Sequence, residues 1–283
     1  MNSRTIRYAA LALATALAGV LAGCVSTTSR VATATQIDTA LAGAHRSPAN
    51  RARDTYRHPR QTLLFFGIRP EMTVVEMDPG AGWYTEVLAP LLRDKGRLLV
   101  ALTPADPANA NAGATRGYAR FQAFLGQNPQ VFDKVELVPM APGKQPIAPP
   151  GTADMVLTFR SIHGWMEGDV DIAPAAFADM YKALKPGGVL GVVEHRGVAT
   201  VPQDPKAKSG YVNQAYAIKL IEGTGFRLVA TSEINANPKD TKDYPGGVWT
   251  LPPSLQEGDK DRARYLAIGE SDRFTLKFIK PRN

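Results

Sequence analysis

Two histidines and two arginines follow apolar runs in the second half of the chain, and their side chains are suited to acid–base chemistry and anion binding. Arg160 and His163 follow one apolar run, and His195 and Arg196 end another. Histidine can accept a proton near neutral pH, and a guanidinium pairs well with carboxylate or phosphate. We therefore predict that His163 and His195 are catalytic, and that Arg160 or Arg196 binds an anionic part of a substrate.

A second candidate site is the loop over residues 76–82, which reads Glu-Met-Asp-Pro-Gly-Ala-Gly. An apolar run precedes this loop and helically spaced apolar residues follow it, which predicts a strand, a tight turn and a helix. In open α/β sheets, ligands bind beyond the carboxyl ends of the strands. Gly80 and Gly82 lack the Cβ atoms that would hold a ligand away from the backbone. The loop is therefore predicted to bind a ligand.

The elements that must position these residues alternate between strand and helix, which predicts a Rossmann-like, doubly wound and mostly parallel sheet. Residues 47–283 form one predicted domain, in which residues 47–70 are a helical extension that either covers the ligand site or only packs on the sheet. Residues 235–271 are predicted to be a long irregular loop. Further strands are predicted at 97–102, 135–138, 153–159, 189–193, 226–233 and 274–279, the last of them an edge strand.

The first 24 residues have the pattern of an export signal. Arg4 and Arg7 precede an apolar stretch, and Leu-Ala-Gly then leads into Cys24, the only cysteine of the chain. This pattern predicts a signal peptide over 1–23, lipidation at Cys24, and a tether over 24–46 that attaches an exported protein to a bacterial membrane. An ordinary signal peptide with an incidental cysteine is the alternative.

Several functions are disfavoured by what the sequence lacks. The net charge is +7, but no basic run is interleaved with aromatic residues, so we expect a solvated surface rather than nucleic-acid binding. A dinucleotide fingerprint needs a third glycine at the position of Thr85. No Gly-x-Ser-x-Gly motif indicates a hydrolase, and no metal-ligand spacing is present, so no metal is predicted.

The order of elements and three motifs resemble the class I methyltransferases that use S-adenosylmethionine (SAM). These motifs are the loop at 76–82, the strand Ala153 to Leu157, and the turn Leu184 to Gly188. More narrowly, the chain resembles a group of exported bacterial proteins described as predicted methyltransferases. That resemblance rests on four stretches, at residues 50–54, 65–70, 79–85 and 272–274.

The resemblance implies SAM as cofactor, but the chain departs from the family's pattern at three positions. Asp78 replaces a glycine, no acidic residue ends the strand at Leu102, and Met140 follows the third strand. The implied cofactor-binding residues are Glu76, Asp78, Gly80, Gly82, Thr103 and Asp106. Two functions remain open: methyl transfer to a small molecule or envelope component, and ligand binding without catalysis on a degenerate methyltransferase fold.

Overall fold

The computed structural model describes residues 30–106, 108, 112–168 and 170–282, and its central element is a seven-stranded sheet. The sheet order is β3-β2-β1-β4-β5-β7-β6, and all neighbouring strands are parallel except β7, which is antiparallel to both of its neighbours. The strands are β1 (Thr73–Met77), β2 (Arg97–Leu102), β3 (Val135–Pro139), β4 (Ala153–Phe159), β5 (Leu184–His195), β6 (Arg227–Ser232) and β7 (Arg273–Ile279).

Helices cover both faces of this sheet. Consecutive residues of β1 belong to different apolar clusters, Val74 to one and Val75 to the other, because successive side chains of a strand point to opposite faces. The helices are α1 (30–42), α2 (Pro48–Ala52), α3 (Asp54–Arg57), α4 (Pro59–Phe66), α5 (Thr85–Leu92), α6 (Gly113–Gln127), α7 (Pro129–Phe132), α8 (Ile162–Glu167), α9 (Ala173–Ala183), α10 (Gln214–Glu222) and α11 (Arg262–Ile268), with a 3₁₀ helix at Gly247–Thr250. The predicted Rossmann-like fold is confirmed.

The predicted edge position of the last strand is wrong. β7 lies between β5 and β6, and its residues are mostly buried, whereas β6 is the edge strand and alternates between exposed and half-buried residues. The alternation in the β7 sequence comes mainly from Lys277, whose ammonium donates a hydrogen bond to the Phe65 carbonyl at 3.3 Å. Polar residues that reach partners inside the domain therefore give this central strand the alternation of an edge strand.

The predicted tether differs from the structure, because residues 30–42 form α1. Thr33, Ile37 and Ala40 are buried and recur at helical spacing, and Ile37 packs in the same apolar cluster as Val74. The predicted signal peptide and the lipidation at Cys24 lie outside the described residues. Among the described helices, none has the length and apolar character needed to cross a membrane.

The segment 235–271 was predicted to be irregular, but it contains the 3₁₀ helix and α11. Its polar groups are held by specific contacts. The Asp240 carboxylate accepts from the Tyr211 hydroxyl at 2.9 Å, and the Asn237 side chain donates to the Glu270 carbonyl at 2.7 Å. The segment is therefore an ordered part of the domain, and it lies beside the carboxyl ends of β4 and β5.

Candidate functional site

The loop after β1 bends through three residues with positive φ, at Asp78, Gly80 and Gly82. The two glycines have different roles. A Cβ on Gly80 would meet nothing within 4 Å, whereas a Cβ on Gly82 would lie 2.5 Å from the Phe124 ring. Gly80 therefore leaves space for a ligand, and Gly82 allows α5 to pack against α6. The predicted ligand contact is consistent with the geometry at Gly80, while Gly82 has a packing role.

Two cavities meet at this loop, and both are lined by Asp78 and Gly80. The glycine cavity has a volume of about 400 Å³, and the histidine cavity has a volume of about 220 Å³. The glycine cavity is lined by Asp78, Gly80, Ala81, Leu102, Thr103, Gly113, Ala114, Gly117, Arg120, Phe121 and Phe124. The histidine cavity is lined by Glu76, Asp78, Pro79, Gly80, Trp83, Tyr84, Phe159, Arg160, Ser161, His163, His195, Val248, Trp249, Pro252, Pro253, Ser254 and Arg273.

The two predicted cofactor residues that follow β2 lie in different surroundings. Thr103 lines the glycine cavity, but Asp106 lines neither cavity. The Asp106 carboxylate is exposed and accepts a hydrogen bond from the Ala108 amide at 2.9 Å, which stabilises the turn that follows β2. Asp106 is therefore not part of either cavity wall, and its contact with the cofactor stays a prediction.

Two carboxylates lie at the β1 end of the histidine cavity. Glu76 is buried and accepts a hydrogen bond from the Thr85 hydroxyl at 2.7 Å. Burial raises the pKa of Glu76 to about 7; the Thr85 hydrogen bond opposes this shift and the Asp78 charge adds to it. Burial also raises the pKa of Asp78, against the effects of His163 and Trp165. A cationic ligand group placed here would favour the ionised form of both side chains.

The two predicted catalytic histidines come together at the other strand ends, with ring centroids 5.3 Å apart. His163 is in the first turn of α8, and its Nδ1 lies 3.0 Å from the Glu194 carboxylate. His195 ends β5, and its Nδ1 contacts the Ser271 hydroxyl at 2.5 Å. Glu194 is fully buried and also accepts from the Ile162 amide at 2.7 Å. Among the described residues, no hydrogen bond involves Nε2 of either ring.

The environments of the two rings shift their pKa values in opposite directions. Burial disfavours the charged form of His163, but the Glu194 carboxylate outweighs burial, so the pKa of His163 is raised. Burial and repulsion from His163 and the nearby arginines lower the pKa of His195 well below its ordinary value. Neighbouring groups with opposite shifts are a common sign of divided acid–base roles.

The same three side chains also form a possible metal-binding group. One potential ligand atom from each of His163, Glu194 and His195 lies within 4.8 Å of the others. Glu194 is already occupied, because its oxygens accept from two backbone amides and from His163. Arginines beside the cavity also oppose a divalent cation. The arrangement fits a carboxylate that orients a histidine better than it fits a metal centre, and the expectation of no metal stays a prediction.

The two predicted substrate arginines lie in different surroundings. Arg160 lines the histidine cavity and has a left-handed backbone, with φ of 61°. Arg196 lines neither cavity, because its guanidinium pairs with Glu233 at 2.6 Å and donates to the Arg273 carbonyl at 3.1 Å. The prediction for Arg196 is not supported, since these contacts hold its guanidinium away from the cavity.

Several residues that form this site were missed. Val248 and Trp249 of the 3₁₀ helix line the histidine cavity, and the Trp249 and His163 ring centroids are 5.9 Å apart. Arg273 also lines the histidine cavity. The guanidinium carbon of Arg57, in the helical extension, lies 4.7 Å from the centroid of the Trp83 ring. Arg273 lies in one of the stretches on which the family resemblance rests, so that resemblance was the available signal for this residue.

Comparisons with known proteins agree with the sheet order. No protein-family model and no curated protein matches the sequence. Among solved structures, a SAM-dependent methyltransferase from Aquifex aeolicus is similar with a TM-score of 0.52 and 15% identity, over 83% of this chain and 94% of that one. The [4+2]-cyclase SpnF is similar with a TM-score of 0.57 and 13% identity, over 90% and 96%.

A third similar structure contains the cofactor that the sequence predicts. It is phosphoethanolamine N-methyltransferase 2 of Haemonchus contortus in complex with S-adenosyl-L-methionine, with a TM-score of 0.52 and 15% identity, over 80% of this chain and 53% of that one. At these identities the likeness concerns the fold. The chain has the Rossmann-like fold of the class I SAM-dependent methyltransferases.

Proposed function

We propose that the protein is a SAM-dependent methyltransferase whose acceptor is a small molecule bound in the histidine cavity. The observation that carries this proposal is the meeting of two different cavities at Asp78 and Gly80. One cavity has glycine and aromatic walls, and the other holds two histidines with oppositely shifted pKa values. This pairing supplies a cofactor site and a proton-handling site beyond the carboxyl ends of the strands.

The residues of the loop after β1 fit a cationic cofactor. Glu76 and Asp78 would bind the positively charged methionine end of SAM, and Gly80 leaves the backbone accessible. Thr103 would contact the ribose, and Phe121 lines the same cavity. When bound, SAM supplies an electrophilic methyl group. The ribose would lack the usual carboxylate at the end of β2, which weakens the expected affinity.

His163 and His195 would act on the acceptor rather than on the cofactor. In its neutral form, His163 donates from Nδ1 to Glu194 and leaves Nε2 to accept a proton from the attacking nucleophile. Glu194 then stabilises the charged ring, as a carboxylate behind a catalytic histidine does. His195 stays neutral, because burial and the nearby positive groups disfavour its protonation, and it orients the acceptor by a hydrogen bond.

The test of this proposal is calorimetric titration of the full-length chain with SAM and S-adenosylhomocysteine. We expect both to bind, and we expect Glu76→Ala to weaken both by at least tenfold because a buried partner of the cationic cofactor is lost. Glu136→Ala, at an exposed position of β3, is the matched control. The absence of binding by either compound would contradict a SAM-dependent reaction.

A second candidate is a ligand-binding protein without catalysis. Asp78 occupies a position where class I methyltransferases usually have a glycine, and its φ is 47°. No carboxylate directly follows Leu102 at the end of β2. Both features favour a fold that has lost its cofactor. This candidate predicts that neither SAM nor S-adenosylhomocysteine binds, while Arg160 and the histidines still bind another ligand.

We also propose that the protein is exported and attached to a bacterial membrane through a lipid on Cys24. The basic and apolar leader that ends in Leu-Ala-Gly-Cys supports this proposal. Cys24→Ser should move the protein from the membrane fraction to the soluble envelope fraction. If the variant remains with membranes, the lipid anchor is wrong.

A further inference from the structure

One wall of the histidine cavity carries more positive charge than its neighbours neutralise. Arg160 and Arg273 line the cavity, and Arg57 packs directly behind Trp83. A single buried carboxylate, Glu270, pairs with Arg273, with Arg57 at 2.9 Å and with Arg53 at 2.6 Å. Four guanidinium groups around one carboxylate leave three positive charges in excess.

Much of the hydrogen-bonding capacity of these arginines is unused. Both terminal nitrogens of Arg57 and the Nε of Arg273 are buried without an acceptor. Within the described chain, the Arg160 side chain forms neither a hydrogen bond nor an ion pair. A buried charged donor without an acceptor costs about 1–3 kcal/mol or more. An anion bound in the cavity would offset this cost.

The other carboxylates around the cavity offset this excess only in part. Glu194 attracts Arg160, while its oxygens also accept from His163 and two backbone amides, and Glu76 and Asp78 lie at the β1 end. Burial and repulsion from Arg273 lower the pKa of Arg160 to about 10, so its guanidinium is still charged at neutral pH. The arginines therefore repel each other along this wall of the cavity.

We propose that Arg160 and Arg273, which line the cavity, bind a phosphate group of the methyl acceptor, and that Arg57 adds positive charge behind them. This inference rests on the proposed function, because it places the acceptor in the histidine cavity. A phosphate monoester carries about −1.5 to −2 charges at neutral pH and three acceptor oxygens, whereas a carboxylate carries one charge and two oxygens. Planar guanidinium groups bind phosphate in pairs of parallel hydrogen bonds.

This position for the phosphate has a consequence for the reaction. His163 and Arg160 line the same cavity, so the phosphate would hold the rest of the acceptor beside Nε2 of His163. Fixing the reactants in this way is a large part of the rate gain in group transfer. The carboxylate of SAM is the competing occupant of the arginines. The SAM carboxylate would neutralise only one of the three excess positive charges.

The test uses inorganic phosphate as the probe and calorimetry on the full-length chain saturated with S-adenosylhomocysteine. Phosphate should bind, and acetate at the same concentration should bind at least tenfold more weakly. Arg160→Gln should weaken phosphate binding at least tenfold, and Arg160→Lys should give an intermediate loss because it keeps the charge without the planar fork. Arg196→Gln, which removes an arginine that is paired outside the cavity, should have no effect.

The outcomes separate this inference from the proposed function. Binding of S-adenosylhomocysteine without binding of phosphate overturns the phosphate site alone, as does equal binding of acetate. If S-adenosylhomocysteine displaces phosphate and Arg160→Gln weakens the nucleoside instead, the arginines hold the cofactor and the inference is wrong. Phosphate binding that depends on Arg160, without binding of either nucleoside, supports an anion site but overturns methyl transfer.

Discussion

The glycine cavity and the histidine cavity share Asp78 and Gly80 but are assembled in different ways. The glycine cavity takes all its walls from residues 78–124, within one strand-helix-strand-helix segment. The histidine cavity takes its walls from five separate parts of the chain between residues 76 and 273. The first cavity is therefore a product of local sequence, whereas the second depends on the whole fold.

This difference separates a site that many proteins of one fold can share from a site that is specific to this protein. A compact segment can keep a cofactor site in many proteins of one fold, while loops from distant positions set the chemistry. The glycine cavity has small and aromatic walls. The histidine cavity concentrates the buried ionisable groups, among them Glu76, His195 and Arg273. We expect changes in the histidine cavity to alter turnover, and changes in the glycine cavity to alter cofactor affinity.

The largest effect expected from this comparison is on catalysis. His163→Gln removes the group that accepts the proton, so turnover should fall about 10²–10⁴-fold while affinity for S-adenosylhomocysteine stays within about twofold. His45→Gln is the control, because that ring contacts the Glu86 carbonyl and lines neither cavity. The measurement is methyl transfer to a phosphate-containing acceptor. Full turnover in His163→Gln would remove this histidine from the mechanism.

A second prediction concerns the stability cost of the buried carboxylate at the β1 end. The pKa of Glu76 is raised from 4.5 to about 7, so the folded state holds a proton that the unfolded chain releases between these pH values. Stability from this group therefore falls as pH rises from about 4.5 to about 7, by about 3 kcal/mol at most. Glu76→Gln keeps an acceptor for Thr85 and removes the charge.

Denaturant unfolding of the two proteins at pH 4 and pH 8 measures this effect. The advantage of Glu76→Gln over the original chain should grow towards pH 8, and the same variant should bind SAM more weakly. Glu136→Gln, at an exposed position of β3 paired with Arg97, should show little pH-dependent difference. A constant difference for Glu76→Gln across this range would mean that folding does not raise the pKa of Glu76.

The two cavities also explain how much of the molecule could be predicted from the sequence. The strand-loop-helix pattern at 73–92 is local, so it predicted the fold correctly, and ligand binding by the loop stays a prediction. His163 and His195 could be placed at the same edge of the sheet because one follows a buried strand and the other ends one. The glycines were not distinguished, because only the packing of Phe124 against Gly82 assigns it a different role from Gly80.

The arginine wall could not be predicted in the same way. Arg57 and Glu270 are more than 200 positions apart in the sequence, and their pairing depends on how α3 and the end of segment 235–271 meet. No local pattern of either residue indicates burial. Arg196 was predicted because it follows a strand, but Glu233 and Asp272 hold it outside the cavity. Position along a strand fixes where a residue lies, and partners distant in sequence fix where its side chain points.

A third prediction separates the two glycines of the loop. Gly80→Asn places a side chain that tolerates positive φ into open cavity space, so it should weaken binding of S-adenosylhomocysteine with little loss of stability. Gly82→Ala places a Cβ against the Phe124 ring at a φ of 81°, so it should destabilise the fold by about 1–3 kcal/mol. Thermal unfolding and calorimetry on both variants provide the comparison. Equal effects on both measurements would show that the two glycines share one role.

The smallest expected effects distinguish Thr103 from Asp106 at the end of β2. Thr103 lines the glycine cavity, so Thr103→Val removes one hydroxyl that could contact the ribose, and affinity for S-adenosylhomocysteine should fall about two- to tenfold. Asp106→Asn keeps an oxygen that accepts from the Ala108 amide and alters neither cavity, so affinity should change less than about twofold. Calorimetry on the two variants at one salt concentration decides between them. A larger loss for Asp106→Asn would show that this carboxylate reaches the ribose when the nucleoside binds, which would restore the acidic contact that the resemblance to class I methyltransferases implied.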